Sequence, residues 1–252
     1  MIEKIKNFFQ NKVVKTIITT IGVLFSLWVF IATQTVINTG FVFAGVISSV
    51  IVSIIVGIVC IVKRKKIKWI PKEELINKIQ NDLTLGLFIN VIFIILLSLI
   101  VNEASYMYSF GNYMIYKDYP NYIYILSTVL IIPFLRNFLV RRNLKYIKKK
   151  GVKEVVSILF ALLLLITSPT VISGIYTGII TFILNRKYIK EENILKTTIT
   201  EILIALSLSV MTLYLSSHKA IVMTVLIAIC LITFVINITK YIKNKETKKE
   251  EV

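Results

Sequence analysis

Long apolar runs separated by short polar segments dominate the pattern of the chain. A helix that crosses a bilayer needs about 20 predominantly apolar residues to span about 30 Å of hydrocarbon, and six segments meet that requirement. These segments are residues 17–38, 41–62, 83–101, 122–140, 198–217 and 220–239. Because backbone groups must be satisfied internally within lipid, the pattern predicts helices throughout. The expected fold is an all-α, polytopic integral membrane protein with six full transmembrane helices.

A seventh apolar segment, residues 155–184, is interrupted at its centre by Ser168 and Pro169. Proline ends a helix there, which leaves two arms of about 15 residues that each reach about 22 Å. Basic residues flank both ends, so the segment returns to the side it entered. Two short crossings complete four cytoplasm-facing helical hairpins, one of them Pro-broken; a re-entrant pair is the alternative. Gly174 and Gly178 are spaced to allow a close helix crossing.

The composition agrees with a membrane protein and excludes most other classes. Of the 252 residues, 56% are hydrophobic and only 17% are charged, whereas about 25% are charged in an ordinary soluble domain. A water-soluble domain of this length could not cover so much apolar surface. We therefore expect a single membrane domain over residues 1–252, and not a secreted domain, a disordered protein or a soluble enzyme.

The net charge of +17 is carried by five clusters of Lys and Arg, each next to an apolar run. Basic residues are retained on the cytoplasmic side of a membrane and bind its anionic lipids. With all five clusters inside, only Lys117 and Lys219 lie outside. This predicts a multi-pass protein of a prokaryotic cytoplasmic (inner) cell membrane, with both termini in the cytoplasm and an anionic inner leaflet as partner. Nucleic acid is not an expected partner, because the basic residues flank spans.

Three segments expected on the cytoplasmic side are rich in charged residues. Residues 1–16 alternate apolar and basic positions at helical spacing, which predicts an interfacial amphipathic N-terminal helix. Residues 63–82 form a basic cytoplasmic link, and residues 240–252 form a charged tail. Within the link, Pro71 begins a second predicted amphipathic helix. We interpret it either as a connector on the membrane surface or as a docking site for a cytoplasmic ATPase or another membrane subunit.

The loop at residues 102–121 is rich in tyrosine and is expected to be extracytoplasmic. Five tyrosines define a candidate outer ligand surface: Tyr106, Tyr108, Tyr113, Tyr116 and Tyr119. Tyrosine prefers the headgroup level of a bilayer, where its ring and its hydroxyl meet different environments. The loop is therefore interpreted either as folded onto the outer leaflet or as a binding surface for a peptide or a lipid-like ligand.

The residues that catalysis or a metal would need are scarce. The sequence has one histidine, His218, and two cysteines, Cys60 and Cys230, which do not complete a zinc site. Ser216 and Ser217 neighbour His218, but side chains one or two positions apart do not face each other on a helix. No glycine-rich phosphate loop is present, so the chain cannot hydrolyse ATP alone. We expect no enzymatic activity, no metal and no cofactor.

Two charged residues fall inside predicted spans. Arg136 lies about 7 to 8 Å and Glu201 about 10 Å from the midpoints of their spans, both in the cytoplasmic half. One hypothesis pairs them between helices as a structural ion pair; in the other, each extends independently to the inner surface. Pro133 and Pro169 are candidate helix kinks. Because the midplane is expected to hold no ionisable group, a proton-driven pump is not predicted.

Two functional classes remain for such a chain. The first is a permease-type subunit or small transporter component without its own ATPase. The second is a non-transporting membrane protein with a role in immunity, assembly or regulation. A many-span chain without a soluble domain favours transport, although no site in the sequence identifies a substrate.

Overall fold

A computed structural model describes residues 12–62, 68–100, 113–147 and 149–215, together with positions 228 and 232. This part of the chain is all-helical and contains no strand. We number its helices in chain order as α1 (Lys12–Asn38), α2 (Val42–Val62), α3 (Lys72–Ile100), α4 (Tyr113–Tyr116), α5 (Asn121–Tyr146), α6 (Lys150–Thr167), α7 (Val171–Glu191) and α8 (Ile194–Leu215).

The described residues confirm the expected all-helical fold, and five helices are long and apolar enough to cross a membrane, in agreement with a membrane protein. The candidate spans are Thr16–Asn38, Val42–Val62, Lys72–Leu96, Asn121–Tyr146 and Ile194–Leu213. Each coincides with one of the predicted apolar segments. The predicted span at 220–239, most of the N-terminal helix at 1–16 and the tail at 240–252 lie outside the described residues, apart from single positions.

Large apolar side chains cover the outward faces of these helices. Trp28 on α1 is 64% exposed and Ile61 on α2 is 70% exposed, and many of the isoleucines and leucines between them are exposed as well. A soluble protein rarely exposes contiguous apolar patches of this extent. Outward faces of this kind are suited to contact with lipid acyl chains and not with water.

Helix α3 extends further than the predicted span. It begins at Lys72, directly after Pro71, and continues without interruption to Ile100. Its 29 residues measure about 44 Å, more than the hydrocarbon thickness. The predicted amphipathic helix of the link is therefore continuous with the helix of the third candidate span and is not a separate helix. Glu73 and Glu74 in its first turn stabilise the positive helix end.

Helices α6 and α7 form a hairpin around Pro169. Pro169 lies in the turn between them, so it separates two helices and does not bend one. The side chain of Thr170 caps α7 by accepting a hydrogen bond from the Ser173 amide at 3.2 Å. The two helices are about 27 and 32 Å long, longer than the predicted arms. The two helices pack closely at Gly174, where an added Cβ would lie 2.5 Å from the Leu165 carbonyl oxygen. The absence of a side chain on glycine permits this contact.

Helix α5 changes its winding along its length. Leu126–Ile131 and Arg136–Val140 are π-helical, the intervening Ile132–Leu135 is α-helical, and Arg141–Tyr146 is a 3₁₀ segment. Pro133 lies in the α-helical segment between the two π-turns, where its missing N–H disrupts the normal hydrogen-bond ladder. Single π-turns of this kind occur often at functional sites.

Helices α5 and α8 are the most buried of the five candidate spans. In each of them 56% of the span is buried, compared with 11% for α1. Helix α8 packs against α3, α5 and α7. Its buried face carries many hydroxyls as well as apolar residues, and hydroxyls that are buried require hydrogen-bond partners. The polar contacts of the bundle are therefore organised around α8.

Candidate functional site

An ion-pair network joins α8 to α5 and α7 within the bundle. We define this arginine–glutamate network as Arg136, Asn137, Arg141, Asn185 and Glu201. Glu201 is 3% exposed. Its Oε1 accepts a hydrogen bond from Arg136 Nη1 at 2.8 Å, and its Oε2 accepts from Arg141 Nη1 at 2.6 Å. The structure thus brings together the two residues of the hypothesised pair and adds a second arginine.

Two asparagines hold Arg141 in place within this network. Asn137 Nδ2 donates to Glu201 Oε2 at 2.8 Å, and its Oδ1 accepts from Arg141. Asn185 of α7 accepts from Arg141 Nε at 2.9 Å. Arg141 is only 1% exposed, so it cannot extend to water as a span-end arginine usually does. The network fixes three helices relative to one another.

The π-turn at Arg136–Val140 explains why the two arginines converge. Residues five positions apart are separated by about 140° around an α-helix. A π-turn instead bonds residue i to residue i+5, which stacks these positions on one face. Arg136 and Arg141 have this spacing. The altered winding therefore directs both guanidinium groups to the same carboxylate.

A second ionic cluster joins α8 to α3 and α7 near the start of α3. Asp82 is 5% exposed and receives Lys78 Nζ at 2.5 Å and Lys187 Nζ at 3.2 Å. The Thr200 hydroxyl lies 2.7 Å from the same carboxylate. We call Lys78, Asp82, Lys187 and Thr200 the lysine–aspartate cluster. At the same end of the bundle, Lys196 pairs with Glu74.

Asp82→Asn tests this cluster. The variant leaves two ammonium groups beside one another without a counter-charge, so we expect the free energy of unfolding to fall by about 1 to 3 kcal/mol. The measurement is the apparent Tm of the purified protein in detergent. Asp118→Asn is the matched control, because Asp118 is exposed. Equal Tm values for the two variants would contradict a stabilising role for the cluster.

Neutral polar contacts connect the bundle beyond the ionic groups. Asn90 of α3 donates to the Ser207 hydroxyl at 2.7 Å and to the Ile204 carbonyl at 3.1 Å. Its own carbonyl accepts from the Tyr176 hydroxyl of α7 at 2.6 Å. A Cβ on Gly86 would lie 2.9 Å from Ile204 Cα, so glycine permits this close approach of α3 to α8.

A polar cavity lies between α1, α5, α6, α7 and α8. Its volume is about 100 Å³. Polar groups on its wall include Gln34, Asn38, Thr128, Arg136, Ser168 and Glu201. The cavity therefore extends from the ionic network toward the hairpin turn at the other end of the bundle. Ligand sites in helical bundles are built from such inward-facing side chains.

The candidate outer ligand surface is only partly within the described residues. Tyr106 and Tyr108 lie outside them, and Tyr113 begins α4. Tyr119 is half-buried. Tyr116 is 1% exposed, with its hydroxyl 2.8 Å from that of Ser127. It is therefore a packing residue and not part of an accessible surface.

The environment of Tyr116 accounts for this correction. Its ring packs edge-on against Tyr124 with 5.4 Å between the ring centroids. Burial raises the pKa of the Tyr116 phenol to about 12, so the group is neutral at physiological pH. A tyrosine with an apolar ring environment and a hydroxyl partner is stable in the interior. The sequence pattern indicated an accessible position because tyrosines are common at the bilayer interface.

Among the described residues, no group of three or more His, Cys, Asp or Glu side chains is positioned to hold a metal ion. The chemistry of the site is therefore that of charges, amides and hydroxyls. Comparison with protein-family models, with curated proteins and with solved structures gives no match. The geometry of the polar contacts is the basis for inferring a function.

Proposed function

We propose that the chain is a permease-type subunit or small transporter component that moves a small polar solute and lacks its own ATPase. The observation that carries this proposal is the polar cavity bordered by five helices. A bundle built only for packing has no need of a space of about 100 Å³ bordered by Gln34, Thr128 and Arg136. Cavities of apolar bundles are filled by side chains or stay dry.

The ends of the bundle support an orientation for this path. The lysine–aspartate cluster and the Lys196–Glu74 pair lie where α3 begins and α7 ends. We propose that this end is cytoplasmic, in agreement with the retention of basic residues inside. Trp69 and Ile76, at the same end, are 71% and 69% exposed. They are the proposed contact for a cytoplasmic ATPase or another membrane subunit.

Flux through reconstituted protein tests the proposal. We expect proteoliposomes to take up small polar solutes faster than protein-free vesicles, as followed by stopped-flow light scattering. Ala205→Phe fills the cavity wall and should reduce this flux to the background. Val210→Phe is the matched control on α8, because Val210 lies on the outward face and is 44% exposed.

A permease-type subunit that depends on a partner ATPase would show no flux when reconstituted alone. The experiment therefore has a second arm. The complex copurified from native membranes is reconstituted with ATP and measured in the same way. Absence of flux in both arms would overturn the transport function. The second candidate, a non-transporting immunity, assembly or regulatory protein, would then be favoured by the ionic network, which is already satisfied at Glu201 by groups of the chain itself.

A further inference from the structure

The arginine–glutamate network, which borders the polar cavity, has an unbalanced charge. Among the residues that line the cavity, Arg136 and Glu201 are the charged ones. Glu201 is shared with Arg141, so the network has two guanidinium groups and one carboxylate. The formal charge of the network is therefore +1. An uncompensated charge within a bilayer is costly, because lipid supplies no counterion.

The lysine–aspartate cluster has the same ratio of charges but a different solvent environment. There, two ammonium groups share Asp82, and the side chain of Lys187 is 25% exposed. Its excess charge is therefore hydrated. In the arginine–glutamate network, the side chain of Arg141 is 1% exposed and that of Arg136, which lines the polar cavity, is 14% exposed, so both are less exposed than Lys187. Of these two groups, the arginine–glutamate network is the one that needs a counter-charge from within the cavity.

Arg136 also has unused hydrogen-bond donors. A guanidinium group carries five N–H donors, and Arg136 uses Nη1 for Glu201. Its Nε is buried without a hydrogen-bond partner among the described residues, and so is Nε2 of Gln34, another residue of the cavity wall. Buried donors without partners are unfavourable. An acceptor that enters the cavity would be attracted by both the charge and these donors.

We propose that the cavity binds a small monovalent anion and that Arg136 contacts it directly. The inference rests on the proposed transport function, since it names the solute class of that path. The cavity of about 100 Å³ is somewhat smaller than the ~150 Å³ engineered cavity in which benzene binds. A halide, nitrate, formate or acetate ion fits this space. Gluconate is too large, and it serves as the non-binding reference anion.

The test measures thermal stability of the full chain in an uncharged maltoside detergent. Gluconate is replaced stepwise by chloride, nitrate, formate or acetate at constant ionic strength. A ligand that binds only the folded state raises Tm in a saturable manner, by ~5 °C or more at 100 times its Kd for a chain of this size. We expect this rise for the unmodified protein with at least one of the four anions.

Arg136→Gln is expected to abolish the saturable rise in Tm. The variant should fold, because Glu201 keeps Arg141 and Asn137 as partners. The matched control is Arg186→Gln, which removes the same charge from an exposed position on α7 and should leave the rise unchanged. Ala205→Phe, which fills the cavity without removing a charge, should abolish the rise and provides a second test if Arg136→Gln does not fold.

The outcomes separate this inference from the proposed function. No saturable effect of any of the four anions, or an effect that persists in both Arg136→Gln and Ala205→Phe, would overturn the anion site. Anion-dependent stabilisation without flux in the reconstitution arms supports the site and overturns transport. Flux of neutral solutes without anion-dependent stabilisation supports transport and overturns the site.

Discussion

Glu201→Gln is expected to lower the apparent Tm by ~10 °C, the largest effect of any single substitution in the ionic groups. The variant leaves Arg136 and Arg141 buried beside each other without a carboxylate. Breaking a buried ion pair in this way typically costs about 3 to 5 kcal/mol, and each kcal/mol shifts Tm by about 2 to 4 °C in a chain of this size. Thermal unfolding of the purified protein in detergent measures the shift.

Glu191→Gln is the matched control for this prediction. It removes the same charge from an exposed residue of α7 and should change Tm by no more than about 1 °C. The double variant Arg136→Gln with Glu201→Gln removes one cation together with the anion. It should recover part of the lost stability, because the effects of substitutions within one network are not additive. A Glu201→Gln variant as stable as Glu191→Gln would refute the role of the network.

A charge-swap variant distinguishes a simple pair from the three-membered network. Exchanging the charges of Arg136 and Glu201 restores an isolated pair, but it also places a new arginine at position 201 against Arg141. The observed distance of 2.6 Å between Arg141 Nη1 and Glu201 Oε2 makes that contact repulsive. We therefore expect Arg136→Glu with Glu201→Arg to remain unstable. Recovery of the original Tm would indicate that Arg141 contributes little.

The helical membrane class was predictable because one physical requirement dominates it. Helices in a bilayer need about 20 apolar residues and satisfy their own backbone, so apolar runs alone located the five candidate spans of the described residues. The length of α3 was less predictable. The sequence pattern predicts a separate amphipathic helix for its polar first turns, either a connector or a docking site, whereas Lys78 and Asp82 are neighbours on one face of the same continuous helix.

The ionic groups were only partly predictable, because their partners depend on local winding. Arg136 and Glu201 stood out as charges within apolar runs. Arg141 belongs to one of the five basic clusters next to apolar runs, where arginine normally extends to water. The π-turn aligns it with Arg136, and α-helical periodicity does not indicate such a turn. Asn137 and Asn185, amides that stand beside arginines at the ends of apolar runs, were the available signal for a buried network.

Gly174→Leu is expected to prevent α6 and α7 from packing and to remove most folded protein from detergent extracts. Even an added Cβ at Gly174 would lie 2.5 Å from the carbonyl oxygen of Leu165. The obstacle is backbone, which cannot rotate away as a flexible side chain can. Overpacking of a tight interface typically costs about 1 to 3 kcal/mol or more, and leucine adds further carbons beyond Cβ to this contact. Size-exclusion chromatography of the extracted protein measures the folded fraction.

Gly57→Leu separates the effect of crowding from the general effect of replacing a helical glycine. Gly57 lies in α2, where a Cβ added to it would have no neighbouring atom within 4 Å. Leucine there should keep or raise stability, since it favours a helix over glycine by roughly 0.5 to 1 kcal/mol. Gly174→Ala should fall between the two variants, because the gain in helix propensity opposes the clash with Leu165. If Gly174→Leu matched Gly57→Leu in folded yield, the hairpin would not depend on the close crossing, and the hairpin wall of the cavity formed by α6 and α7 would lose its structural basis.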